Sequence, residues 1–246
     1  MRQLAIIVGS GALDLGLDWE SLGRVDTEYG AVSTAPLRAQ TQKATVVTIS
    51  RHGVPHLIAP HAINYRANLS LLAELGATEV IAINTVGGIA PEAGNGCLVV
   101  PDQLIDYTWG RAHSYSDDDK LLHVDFSDPY DAELRRELVD AGVRAGIDVH
   151  DGGVYGCTQG PRFESAAEVE RMRRDGCTLV GMTGMPEAAL ARELGLRYMS
   201  LCLVVNPAAG RGETIDLDAI SAISDAGMLR VRTLLLELLQ GFELGD

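Results

Sequence analysis

Short apolar runs, each followed by a glycine-containing or polar turn and then a stretch of helical periodicity, alternate over most of this chain. That alternation specifies an α/β fold. It predicts strands over 4–8, 44–49, 80–84, 97–100, 153–156, 178–181 and 197–205, and helices over 62–74, 131–145, 165–174, 187–194 and 217–239. The last helix is the longest and most periodic. Its stripe of Ile220, Ile223, Met228, Val231, Leu234, Leu235 and Leu238 reads as core rather than as a partner-binding face. No linker, repeat or low-complexity tract interrupts the pattern, and 246 residues suit one large domain over 1–246.

The formal net charge of −14 argues against nucleic acid or an anionic membrane surface as a partner, since both reward clustered Lys and Arg. An anionic substrate needs a locally cationic pocket instead. The apolar run after Met1-Arg2-Gln3 is too short for a signal segment and no run approaches a membrane span, so a cytoplasmic location is expected. Cys97, Cys157, Cys177 and Cys202 are far apart and form no CxxC pair, which predicts reduced, structural thiols. The acidic triplet Asp117-Asp118-Asp119 lies in a polar stretch and reads as a solvated loop.

The unusual residues fall at the carboxyl ends of the predicted strands. Gly9-Ser10-Gly11 follows the first, Arg51-His52-Gly53 the second, and Thr85-Val86-Gly87-Gly88 the third. In open α/β sheets those ends line the ligand crevice. Ser10 and Thr85 offer hydroxyls, the glycines let backbone N–H groups approach a phosphate, and Arg51 supplies a bidentate cation. Gly181-Met182-Thr183-Gly184-Met185-Pro186-Glu187 adds a fourth loop, in which Pro186 suits a first helical position and Glu187 the positive end of a helix. There the free N–H groups and the Thr183 hydroxyl are expected to face one anion-binding crevice, although an ordinary strand-to-helix connection fits that segment alone equally well. No GxGxxG or GxxxxGK[ST] string occurs at Gly9, which disfavours a dinucleotide or P-loop site.

His52, His56 and His61 invite a metal reading, but Pro55 breaks any helix that would align the first two, and no carboxylate completes a zinc-like set. No metal is expected. His52 reads as a hydrogen-bond donor to an anion, with a capped loop histidine as the alternative.

These stretches, with Gly160-Pro161-Arg162-Phe163-Glu164, resemble the trimeric purine nucleoside phosphorylase and methylthioadenosine phosphorylase family in order and rough spacing, from the N-terminus to about Asn206. The resemblance implies a single-domain three-layer fold with a central mixed, partly barrel-like β-sheet flanked by helices, and a homotrimer. It implies no cofactor, with inorganic phosphate as co-substrate held by Ser10, Arg51, His52, Asn84, Thr85 and Thr183. Met182 would touch the ribose and Phe163 would pack on the base. The reaction implied is phosphorolysis, in which phosphate attacks the anomeric carbon of a cationic sugar while the purine leaves.

Two positions bear on which purine leaves. Where the family's adenine pockets carry an aspartate, this chain has Asn206, whose amide can donate to a 6-oxo group and accept from a protonated N7. Glu164 can accept the N1 hydrogen of a 6-oxopurine, which adenine lacks. His52, Glu164 and Asn206 are the candidate catalytic residues, with Pro207 and Ala208 following Asn206 on the base loop, although Asn206 taken alone also reads as a turn residue before Pro207. At the sugar's 5′ end the stretch Ile215-Asp216-Leu217-Asp218-Ala219-Ile220 lacks the histidine found in the nucleoside phosphorylases it resembles. Leu217 and Ile220 would form either an apolar wall suited to a methylthio group or plain helix core. Together the two ends point to S-methyl-5′-thioinosine. Inosine or guanosine is the runner-up, methylthioadenosine third, and a non-catalytic nucleoside-binding protein the alternative of a different class.

Overall fold

All seven strands and five helices expected from the sequence form in the computed structural model, which describes residues 1–10, 13–117, 120–212 and 215–241. Gly11, Asp118 and Asp119, singled out above, lie outside the described residues. In chain order the first half comprises β1 (Arg2–Val8), β2 (Glu20–Ser21), β3 (Asp26–Thr27), β4 (Gly30–Ala31), β5 (Leu37–Gln40), β6 (Ala44–Ser50), α1 (Tyr65–Glu74), β7 (Glu79–Gly88), β8 (Leu98–Val100) and β9 (Gln103–Asp106). The second half comprises α2 (Ala132–Ala145), β10 (Val149–Asp151), β11 (Val154–Cys157), α3 (Ala166–Arg174), β12 (Leu179–Gly181), α4 (Glu187–Glu193), β13 (Arg197–Pro207) and α5 (Leu217–Gln240).

Eleven strands join one mixed sheet, ordered β10-β8-β13-β7-β1-β6-β5-β2, with a second limb in which β12 pairs the far end of β7 and carries β11 and β9. The centre, β6-β1-β7-β13, is parallel and almost wholly buried, as strands covered by helices on both faces must be. Two helix pairs supply that cover: α1 packs on α4, and α2 on α5. Capping sets the helix starts. Asn64 accepts from the Ala67 N–H, so α1 begins after the short 3-10 turn Pro60–Ala62 rather than at 62, and Ser165 with Glu168 forms a capping box on α3.

Close packing explains the glycines at the ends of β1 and β7. A Cβ on Gly9 would lie 2.6 Å from the Ile83 carbonyl oxygen and 2.7 Å from Arg51 Nη1; one on Gly88 would lie 1.9 Å from the Ala93 carbonyl oxygen. The parallel register of β13 against β7 slips once: Val204 faces Val86 and Asn206 faces Gly87, so Val205 is the extra residue of a β-bulge.

Candidate active site

The carboxyl ends of β1, β6, β7, β12 and β13 open into one cavity of about 670 Å³. Ser10, Arg51, His52, Thr85 and Thr183 line it, together with Phe163, Glu164, Met182, Asn206, Ala208, Leu217 and Ile220. Twelve of the fourteen expected site residues thus share a single space. Asn84 and Pro207 do not reach its wall. Asn84 is buried behind Thr183, to whose hydroxyl its amide donates at 2.9 Å, and Pro207 turns its carbonyl to accept from the Asn206 amide at 2.7 Å. The bulge at Val205 is why two consecutive residues, Val205 and Asn206, both face the cavity where an unbroken strand would alternate.

Arg51 is fully buried, and its bidentate partner is internal. Nε and Nη2 each donate to Glu187 at 2.8 Å, while Nη1 donates to the Ile83 carbonyl at 3.0 Å. Three of the five N–H groups are thereby used, leaving one on each terminal nitrogen for a ligand. Burial opposes the charge, but the Glu187 carboxylate outweighs it and holds Arg51 above its ordinary pKa. Tyr198 also donates to Glu187 at 2.9 Å.

This geometry corrects the sequence reading of Gly181 to Glu187. Pro186 is the N-cap of α4 rather than its first residue, and Glu187 points into the protein against Arg51. The Met185 N–H donates to Cys157 Sγ and the Ala188 N–H to the Gly184 carbonyl, and only Gly181, Met182 and Thr183 of the segment line the cavity. The start of α4 is a buried ion-pair platform, and the segment's contribution to the crevice comes from Met182 and Thr183.

His52 lies flat against His56, with ring centroids 4.2 Å apart, and its Nδ1 is 2.8 Å from the Ile58 carbonyl oxygen. A carbonyl only accepts, so Nδ1 carries the proton. Burial first, and then the Arg51 charge, lowers the His52 pKa to about 4. At neutral pH the ring therefore presents Nε2 as an acceptor, not the donor that the sequence suggested.

Two of the residues expected around the base are more exposed than these. Phe163 is 42% exposed, and Glu164 is half-buried with Oε1 accepting from the Thr158 hydroxyl at 2.6 Å. The wall beyond it is the helix face expected from sequence and is longer than expected. Leu217, Ile220, Ser221, Ser224 and Asp225 follow helical spacing along α5, and all line the cavity. Leu217 is 67% exposed and so is wall rather than core. Sequence reasoning followed the apolar residues of this face and missed the polar ones, although the same i, i+3, i+4, i+7 spacing carried the signal. It also missed Arg111, a buried guanidinium that donates to the carbonyls of Thr158, Gln159 and Met185 and ties three loops together.

All four cysteines are free, and burial pushes the Cys157 thiol up to about 12, as inert core thiols require. No helix among the described residues is long and apolar enough to cross a membrane.

Comparison with known proteins gives the family. The profile of the Phosphorylase superfamily matches residues 3–240. A protein of Xanthomonas campestris named "Probable S-methyl-5'-thioinosine phosphorylase" is 47% identical over 244 residues, covering 97% of both chains. The 6-oxopurine nucleoside phosphorylase of Pyrococcus furiosus is 41% identical over 217 residues, covering 85% of this chain and 81% of that one. Among solved structures, methylthioadenosine phosphorylase from Schistosoma mansoni in complex with adenine superposes with a TM-score of 0.91 at 30% identity, covering 100% of this chain and 93% of that one. With strand ends, cavity and relatives in agreement, the chain belongs to the phosphorylase superfamily, among its purine nucleoside phosphorylases.

Proposed function

We propose that the protein is a pentosyltransferase that phosphorolyses S-methyl-5′-thioinosine to hypoxanthine and 5-methylthioribose 1-phosphate, working as a single domain without a further cofactor. The observation that carries this reading is that Glu164 and Asn206 line the same cavity as Ser10, Arg51, His52, Thr85 and Thr183. The names of the relatives from Xanthomonas campestris and Pyrococcus furiosus support a 6-oxopurine.

Phosphate sits on the three hydroxyls and the two remaining Arg51 N–H groups. Its own O–H donates to His52 Nε2, a geometry that fits hydrogen phosphate. Asn84 orients the Thr183 hydroxyl from behind. Fixing the nucleophile below the sugar makes the attack effectively unimolecular and sets an anion against the cationic sugar. At the base, the Asn206 amide keeps one N–H to donate to the 6-oxo group and its carbonyl oxygen to accept from N7 once N7 has taken a proton from solvent, while Glu164 Oε2 accepts from N1–H. The Asn206 N–H and the N7 proton stabilise the purine as negative charge gathers on it, and Glu164 orients the base. The apolar residues Ile215, Leu217 and Ile220 receive the methylthio group.

Inosine or guanosine is the second reading, favoured by Ser221, Ser224 and Asp225, which place hydrogen-bonding groups on the same helix face. The exposed Val54, Leu57 and Trp109 suit burial between copies of the chain, in keeping with a homotrimer. The site needs only soluble substrates, which fits a cytoplasmic enzyme. Parallel phosphate-dependent assays of S-methyl-5′-thioinosine, inosine and methylthioadenosine test the assignment. The first should be used best, and Asn206→Asp should shift preference toward methylthioadenosine by about tenfold or more. Preference for methylthioadenosine by the unaltered enzyme would refute the reading of the base pocket.

A further inference from the structure

Glu164 can discriminate between purines only if its carboxylate is held still. Its neighbours on the loop do little to hold it. Phe163 is exposed, Arg162 turns outward to pair with Glu168, and among the described residues no cation lies within ion-pair distance of Glu164. What fixes it is Thr158, the residue after β11, whose hydroxyl lies 2.6 Å from Glu164 Oε1. Thr158 is itself pinned on both sides. Its N–H donates to the Gly181 carbonyl at 2.8 Å, and its carbonyl accepts from the buried Arg111 at 3.2 Å. The same hydroxyl is 3.3 Å from the Gly181 oxygen, so the shorter contact takes its single proton.

We propose that Thr158 is a positioning residue that sets the purine preference, holding Glu164 with Oε1 occupied and Oε2 turned to the N1 edge of the base. A 6-oxopurine brings an N1–H to that oxygen and completes the pair. A 6-aminopurine brings a lone pair, and the tether stops the carboxylate from swinging aside to relieve the repulsion. The hydroxyl therefore acts against the wrong base as much as for the right one. This rests on the assignment of Glu164 to the N1 edge.

The test compares the unaltered enzyme with Thr158→Val, which keeps the shape and removes the donor, and Thr158→Ser, which keeps the donor. Hypoxanthine and adenine binding are measured by calorimetry, and the KM values of S-methyl-5′-thioinosine, methylthioadenosine and phosphate by steady-state kinetics. Thr158→Val should weaken hypoxanthine and raise the KM of S-methyl-5′-thioinosine about tenfold, the worth of one ordered hydrogen bond, with the KM of phosphate unchanged. Adenine binding should hold or tighten, and Thr158→Ser should restore the original ratio. An unchanged hypoxanthine-to-adenine ratio in Thr158→Val overturns the proposal, as does an equal loss of both bases. If Thr158→Val does not fold, Thr158→Ala against Thr158→Ser gives the same ratio. A preference of the unaltered enzyme for methylthioadenosine overturns the 6-oxopurine reading instead, before any variant is compared.

Discussion

The two parts of the proposed site are built differently. Of the residues proposed to hold phosphate, Arg51, His52, Asn84 and Thr183 are buried, stand on or just beyond strand ends, and are bonded to one another or to the backbone. Of those proposed for the base and the 5′ group, Leu217 is largely exposed and Phe163 and Glu164 are partly so, on loops and the first turn of α5, while Asn206 is buried on β13. On this reading the chemistry common to every substrate is fixed in the core, where a misplaced group is costly, and substrate identity is carried mostly by side chains off the sheet, with Asn206 the exception.

The largest effect expected from breaking that contrast comes from Glu187→Gln. It leaves the buried Arg51 guanidinium without its counter-charge and should cost about 3–5 kcal/mol of stability in denaturant melts, with a sharply raised KM for phosphate. A loss below about 1 kcal/mol would show that the ion pair is not what holds the phosphate end together.

The second effect is a pH dependence confined to the same end. The folded His52 pKa lies near 4 and the unfolded value near 6.5, so the unfolded chain takes up a proton that the folded one resists. Stability from this group is complete above about pH 6.5 and is lost as pH falls toward about 4. Melting temperatures measured without phosphate should show that slope, and His52→Gln should flatten it; an unaltered slope would place the titration elsewhere.

The smallest effect is at the far end. Leu217→Ala should leave stability within about 0.5 kcal/mol, because the side chain is already solvent-exposed, and should cost S-methyl-5′-thioinosine no more than about tenfold in kcat/KM while inosine is unaffected. Equal losses on both substrates would remove Leu217 from the methylthio subsite.

The contrast also explains what could be read from the sequence. Long buried strands such as β7 and β13 announce themselves as continuous apolar runs, and the glycines and hydroxyls just beyond them mark the crevice. The strands that escaped, β2 to β5, β9 and β10, are short and partly exposed, so neither a run nor an alternation is long enough to register. The role of Glu187 escaped for another reason. Local sequence assigned it to the helix dipole, but its partner Arg51 lies 136 residues away, and only the fold brings them together. Thr158 and Arg111 were invisible in the same way, since each acts through a contact that no local pattern encodes.

The bulge at Val205 makes the proposed base recognition depend on the backbone as well as on a side chain. Upstream of it, β13 keeps strict register with β7; downstream, the register has slipped by one and Asn206 pairs with Gly87 of the same strand. Deleting one residue here would restore the alternation and turn position 206 away from the cavity, so the irregularity of the strand sets which side chain the cavity receives.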